Sequence, residues 1–286
     1  MKKIIAALVL VLSFATWVFA ESSVWKAQKG ASVIYLGGTC HVLRDTDFPL
    51  PPEFLTAYRA SGLVVFETDL GKLEEPATQQ AMLVKSMYAD GSTIDRHLSA
   101  PAYAELSAYC AANGIPLEAL KQFKPPMLMI TLTFMELMKL GVTRQGVDRF
   151  FYDMAKKDGK AVQGLETVDR QINYILSMAD GNEDRFVIYS IRDMNTIKQK
   201  YKALVTAWRS GDTGKLEEMM VAELETRWPD LYKKLIVDRN RNWLIRIDEY
   251  GKTPRTEFGL VGAGHLVGPD GIVEALKNRG YRVDKL

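Results

Sequence analysis

The chain lacks most of the signatures that announce a reaction. It has no Gly-x-Ser-x-Gly elbow, which removes support for a serine hydrolase of the α/β type. It has no His-Glu-x-x-His helix, so the common zinc-peptidase arrangement is excluded. No glycine-rich loop precedes a Lys-Ser or Lys-Thr pair in the spacing that cradles phosphate. Charge of one sign is also missing. The formal net charge is +2, and Lys2 and Lys3 account for it, so the chain after residue 20 is formally neutral. Nothing in that balance draws the protein to nucleic acid or to an anionic membrane surface. Two cysteines, Cys40 and Cys110, define no disulfide framework, and Cys40 reads as a small buried apolar residue. No low-complexity linker divides the chain, so the expected organisation is a signal peptide at residues 1–20 and a single domain over residues 21–286.

Long apolar runs are scarce too. Ile4 to Phe19 is nearly all apolar, follows a basic start and ends in Val18-Phe19-Ala20, a small-x-small cleavage site. These are the parts of a secretory signal peptide, so a periplasmic or secreted protein beginning at Glu21 is expected. Met127 to Leu140 is apolar but carries Glu136 and Lys139 and is too short to span a bilayer. No stable membrane span is therefore expected after cleavage. Apolar content of 47% and charged content of 25% are those of a globular protein with a full core.

What the chain does have is a repeated device. Phe258 to Val261 reads as a buried strand running into Gly262-Ala263-Gly264-His265, with an amphipathic helix from Pro269 to Arg279 and a last strand at Tyr281-Arg282-Val283. Near the other end, Ser32 to Leu36 reads as a strand running into Gly37-Gly38-Thr39-Cys40-His41. Two of the three histidines thus sit three residues after a glycine, at the carboxyl end of an apolar strand. In open α/β sheets that end is where ligands bind. The third, His97, lacks the glycine and reads as a surface or capping residue.

Two acids occupy the same kind of position. Leu63 to Phe66 reads as a buried strand ending in Glu67-Thr68-Asp69, and Ala161 to Leu165 as another ending in Glu166-Thr167. The intervening segments read as helices: Pro51–Ala60, Pro76–Tyr88, Pro101–Ala112, Leu117–Phe123, Met127–Leu140, Gln145–Lys157, Val168–Met178, Glu183–Arg209, Lys215–Leu224 and Pro229–Tyr250. The last contains Asp238-Arg239-Asn240-Arg241-Asn242-Trp243, polar for a helix with an apolar face. The expected fold class is α/β, a mixed sheet with helices on both faces and a large helical insertion.

Five motifs in this order, Tyr35 to His41, Phe66 to Asp69, Gly164 to Thr167, Asp238 to Asn240 and Val261 to His265, resemble the TraB/GumN family, which also contains the Tiki proteins. The resemblance spans nearly the whole chain after residue 20. It implies a fold of the ChaN and erythromycin-esterase kind. It also implies the activity proposed for the Tiki branch, a metal-dependent peptidase acting on a peptide or protein through two Gly-x-x-His motifs and acidic residues. Cys40 stands where the family more often has an apolar residue.

Taken as chemistry, His41, His265, Glu67 and Glu166 form a set of donors suited to a divalent ion such as Mn²⁺, Co²⁺ or Zn²⁺, or Fe²⁺. Glu67 or Glu166 could instead act as a general base, or either could pair with Arg239. Arg239 and Asn240 could hold a substrate carboxylate or carbonyl. The leading expectation is a metal-dependent, peptidase-like hydrolase. Two others stand beside it: a metal-independent esterase-like hydrolase built on a His/Glu pair, and a non-catalytic protein that binds haem or a metal.

Overall fold

A computed structural model describes residues 22–286. The expected signal peptide lies outside the described residues. Among them, no helix is long and apolar enough to cross a membrane.

The fold is α/β, built on a mixed six-stranded sheet. Its strands are β1 (Val24–Lys29), β2 (Ser32–Thr39), β3 (Leu63–Phe66), β4 (Ala161–Gly164), β5 (Glu257–Gly262) and β6 (Arg282–Lys285), in the order β4-β3-β5-β2-β1-β6. The pairs β2–β5, β3–β5 and β3–β4 are parallel, whereas β1 runs antiparallel to both β2 and β6. Four expected strands are present, together with the final one. β1 is an addition to the sequence reading, joined to β2 by a two-residue turn in which Gly30 takes a φ of 59°. Glycine meets that conformation without a Cβ clash.

Alternation along the strands sends side chains to opposite faces. Val64 and Phe66 of β3 enter one core with Phe54, Phe151 and Trp208, while Leu63 and Val65 enter a second with Trp243, Ile272 and Leu276. Helices thus cover both faces of the sheet. A third core, with Leu106, Leu128, Val187 and Ile191, belongs to the helical insertion. Cys40 and Cys110 are buried free thiols in separate cores.

The insertion departs from expectation in several places, among them a short helix at Leu70–Leu73 and π-helical segments at Glu218–Ala222 and Lys233–Val237. The helix expected over Glu183–Arg209 is two, Glu183–Met194 and Ile197–Arg209, broken at Asn195-Thr196. Both residues have short polar side chains that compete with helical backbone bonding. The helix expected over Leu117–Phe123 is a single 3₁₀ turn, Leu117–Ala119. Lys124 precedes Pro125 and is extended, as residues before proline prefer.

One core contact bears directly on the Gly-x-x-His loops. The fully buried Trp208 donates its indole N–H to the Gly38 carbonyl at 2.6 Å and accepts from the Ser23 hydroxyl at 2.8 Å through its own carbonyl. It fixes the end of β2 just before His41. Trp208→Ala is expected to destabilise the protein by about 3–5 kcal/mol, read from the shift of the urea unfolding midpoint. An unfolding curve that does not move would contradict this packing role.

Candidate active site

Because β2, β3, β4 and β5 are parallel, their carboxyl ends share one rim. Pairing continues beyond β3 and β4: Leu165 N–H donates to the Phe66 carbonyl and Glu166 N–H to the Glu67 carbonyl, both at 2.9 Å. That register sets Glu67 and Glu166 side by side. On the other flank, Gly38 of β2 faces Val261 of β5 and Thr39 faces Gly262, so the two Gly-x-x-His loops leave adjacent strands. Gly262 marks the centre. A Cβ placed there would lie 3.3 Å from Glu67 Oε1, 3.4 Å from His41 Nε2 and 3.7 Å from His265 Cδ2. The four residues expected from the sequence therefore all reach one rim.

What joins them is Arg239. It is carried by the helix Asp238–Tyr250, which follows a π-helical segment, Lys233–Val237. Trp243, Leu244 and Ile247 pack this helix on the sheet, and Arg239, one turn from Trp243, reaches the strand ends. Its Nη2 donates to Glu67 Oε2 at 2.6 Å and to Glu166 Oε1 at 2.7 Å. Its Nε donates to Glu166 Oε1 at 3.2 Å, and its Nη1 lies 3.1 Å from His265 Nε2. The guanidinium carbon sits 4.5 Å from the centre of the Trp243 ring. Of the five N–H bonds of a guanidinium, one on Nη1 has no acceptor among the described residues. Arg239 is thus spent on two glutamates rather than left free for a substrate carboxylate. Asn240 is occupied as well: its Oδ1 lies 2.7 Å from His265 Nδ1, and its amide donates to the His265 and Asp270 carbonyls.

The two glutamates have different surroundings. Glu166, its side chain 1% exposed, also accepts from Trp243 Nε1 at 3.2 Å. Burial raises its carboxyl above the usual range, and Arg239 offsets this only in part. Burial would raise Glu67 too, but Arg239, His265, His41 and the Gly262 N–H, which donates to Oε1 at 2.8 Å, hold it well below the usual carboxylate range. Gln171 Nε2 donates to its Oε2 at 3.2 Å.

The histidines also differ. His265 is buried, and burial lowers its pKa to about 3. Neutral, it donates from Nδ1 to Asn240 Oδ1 and accepts at Nε2 from Arg239. His41 has a side chain 61% exposed to a cleft of about 1200 Å³, which Glu67, Asp148, Gln171 and Arg239 also line. Its Nδ1 is 2.8 Å from Asp148 Oδ2, and the Asp148 charge raises it to about 9. Asp148 comes from the insertion. The segment before it clamps the His41 loop through Val147 N–H to the Cys40 carbonyl and Leu43 N–H to the Gln145 carbonyl. A Cβ at Gly146 would overlap the His41 carbonyl, so only glycine permits this approach.

Asp148, Gln171 and Trp243 were not singled out as site residues from the sequence. No motif or spacing ties Asp148 to His41, 107 residues away. Trp243, four residues after Arg239, carried the faint signal of helical periodicity. His97 lies apart from the site, bonded to the Ser92 hydroxyl at 2.6 Å and stacked on Tyr88.

Both imidazoles are anchored at Nδ1, as a metal-bound histidine often is, and His41 turns its Nε2 toward Gly262 while His265 turns its Nε2 to Arg239. The rest of the donor set does not follow. Arg239 places a cation against His265 Nε2, Glu67 and Glu166. Among the described residues, no group of three or more His, Cys, Asp or Glu is arranged to hold a metal ion. As arranged, the donors fit a guanidinium and not a divalent ion.

The three histidines can be resolved by NMR of the imidazole nitrogens. His265 is expected to stay neutral down to about pH 3 and His41 to titrate near pH 9. The folded-state pKa of His265 is depressed, so its contribution to stability is present above pH 6.5 and is lost as pH falls toward 3. That of His41 is raised, so its contribution is present below pH 6.5 and is lost as pH rises through 9. An ordinary titration of His265 near pH 6.5 would contradict this site.

No curated protein and no solved structure matches the chain at a significant level. A family model does, over residues 23–285, which include β1, the four-strand rim and the Arg239 helix. The chain belongs to the TraB/PrgY/gumN family.

Proposed function

We propose that this site hydrolyses an acyl carbonyl, an ester or amide, with His41 as the proton-transfer residue. One observation carries the reading: His41 Nδ1 is paired with Asp148 while Nε2 turns toward Gly262 and Glu67 at the cleft. Asp148 fixes the tautomer that leaves the Nε2 lone pair for a water proton. The imidazolium that forms is stabilised by Asp148 and by ionised Glu67. Arg239 lines the same cleft, and its positive charge favours the oxyanion that develops on the carbonyl. Glu67, Glu166 and His265 position Arg239. The neutral His265 accepts its hydrogen bond without adding a second cation. Export, expected from residues 1–20, belongs to the same reading.

A second reading, the metal-dependent hydrolase, is favoured by the Nδ1 anchoring of both histidines. It requires Arg239 to withdraw from His265 Nε2.

The test is kcat/KM on a panel of simple esters and a broad peptide library, with chelator or with added Mn²⁺, Co²⁺ or Zn²⁺. Activity is expected to survive chelation and to rise with pH toward a plateau above about 9, where His41 is neutral. His41→Ala should lower the rate by about 10²–10⁴-fold. Asp148→Asn should slow the reaction and move the limb toward lower pH, since it removes the charge that raises His41. Full activity in folded His41→Ala would overturn the proposal. Activity only with added metal would replace it by the second reading.

A further inference from the structure

The cleft beside His41 has two kinds of wall. Its polar lining holds His41, Glu67, Asp148, Gln171 and Arg239, together with charged residues such as Glu74, Arg144, Arg149 and Asp153. Its other wall is built from Leu70, Leu73, Ile175, Met178, Met220 and Leu235, all half-buried. These six come from separate pieces of chain: the short helix Leu70–Leu73, the helix Val168–Leu176 and the turn after it, and the π-helical segments Glu218–Ala222 and Lys233–Val237. Six apolar side chains from four places face one cleft without closing it. Isolated exposed apolar residues need no explanation, but six lining one cleft beside a polar centre do.

The composition of this wall separates two occupants. A peptide brings an amide N–H and C=O at every residue, and each needs a partner when it leaves water. This wall offers hydrocarbon and thioether. Its backbone is helical or turn, where most N–H and C=O groups bond within the chain itself. A hydrocarbon chain makes no such demand. The two methionines extend the argument. Met178 and Met220 also line an adjoining cavity of about 230 Å³ with Phe186, Trp228 and Leu231. Unbranched thioether side chains re-pack readily around occupants of different length. Met220 is also tied to the polar end, because its side chain lies against Gly264, next to His265.

Resting on the hydrolase reading above, we infer that the substrate is an amphiphile with a hydrocarbon acyl chain. The chain lies along the Leu70–Leu73–Ile175–Met178–Met220–Leu235 wall, and the ester or amide carbonyl sits at His41 and Arg239. The carbonyl oxygen turns toward the Arg239 guanidinium, and water attacks the carbonyl carbon. The C–O or C–N bond breaks, the fatty acid is released, and the proton taken by His41 passes to the leaving group.

Two measurements on the wild-type protein keep this inference apart from the hydrolase reading. Binding of acetate, octanoate and dodecanoate is followed by calorimetry, which needs no turnover. Hydrolysis of the matching p-nitrophenyl esters is followed separately. Affinity and kcat/KM are expected to climb with chain length by up to roughly fourfold per buried methylene, levelling off when the wall is filled. Ile175→Asp, and independently Met220→Asp, should lower the ratio of dodecanoyl to acetyl ester turnover. Affinity that rises with chain length but no cleavage of any ester would support the acyl wall while removing the hydrolase reading. Dodecanoate binding no tighter than acetate would overturn the inference, as would cleavage of acetyl esters or peptides with no gain from a longer chain.

Discussion

The structure depends on one guanidinium shared by two buried carboxylates. Glu67 and Glu166 are brought together by the parallel pairing of β3 and β4. An isolated carboxylate in that position would cost several kcal/mol. Arg239 answers both charges at 2.6 and 2.7 Å, and the Gly262 N–H, Trp243 Nε1 and Gln171 Nε2 complete the shell. One cation cannot fully compensate two anions, and the imbalance falls unevenly. Glu67, with two histidines and a backbone N–H nearby, is pulled down, while the more enclosed Glu166 is pushed up. Environment thus divides two chemically identical groups, as it does in known carboxylate pairs.

The same pairing explains why the two Gly-x-x-His loops do different work. The loop after β5 turns His265 inward, where burial, with the Arg239 charge, keeps it neutral and Asn240 fixes its orientation. The loop after β2 is held from outside by the helical insertion, through Gly146, Val147 and Asp148, and leaves His41 open to the cleft. The insertion therefore supplies part of the polar centre as well as the apolar wall. Sheet and insertion meet at His41, so a change in either is felt there.

The rim of the sheet was legible in the sequence because its signals are local. An apolar run followed by Gly-x-x-His or by Glu-Thr names both the strand and the residue at its end, and His41, Glu67, Glu166 and His265 all lie where that pattern puts them. The partners were less legible. Arg239 stood out as polar in an apolar helix, but whether it met substrate or glutamate depended on the register between the helix and the sheet. Asp148 and Gln171 are linked to the site only by long-range packing, so their neighbours in sequence say nothing about it. β1 was missed because its alternation is short, Trp25 and Ala27 against Lys26 and Gln28, and its partners lie on both β2 and the distant β6. The break at Asn195-Thr196 was hidden inside a pattern that continues on either side.

The central claim, that Arg239 holds two buried charges in place, is tested most directly by urea unfolding of Arg239→Met alone and combined with Glu67→Gln and Glu166→Gln. Arg239→Met alone leaves both carboxylates without their cation and is predicted to cost about 3–5 kcal/mol. The triple variant removes the charges together and is predicted to recover most of that loss. An Arg239→Met protein as stable as the wild type, or a triple variant no more stable than the single one, would contradict the account.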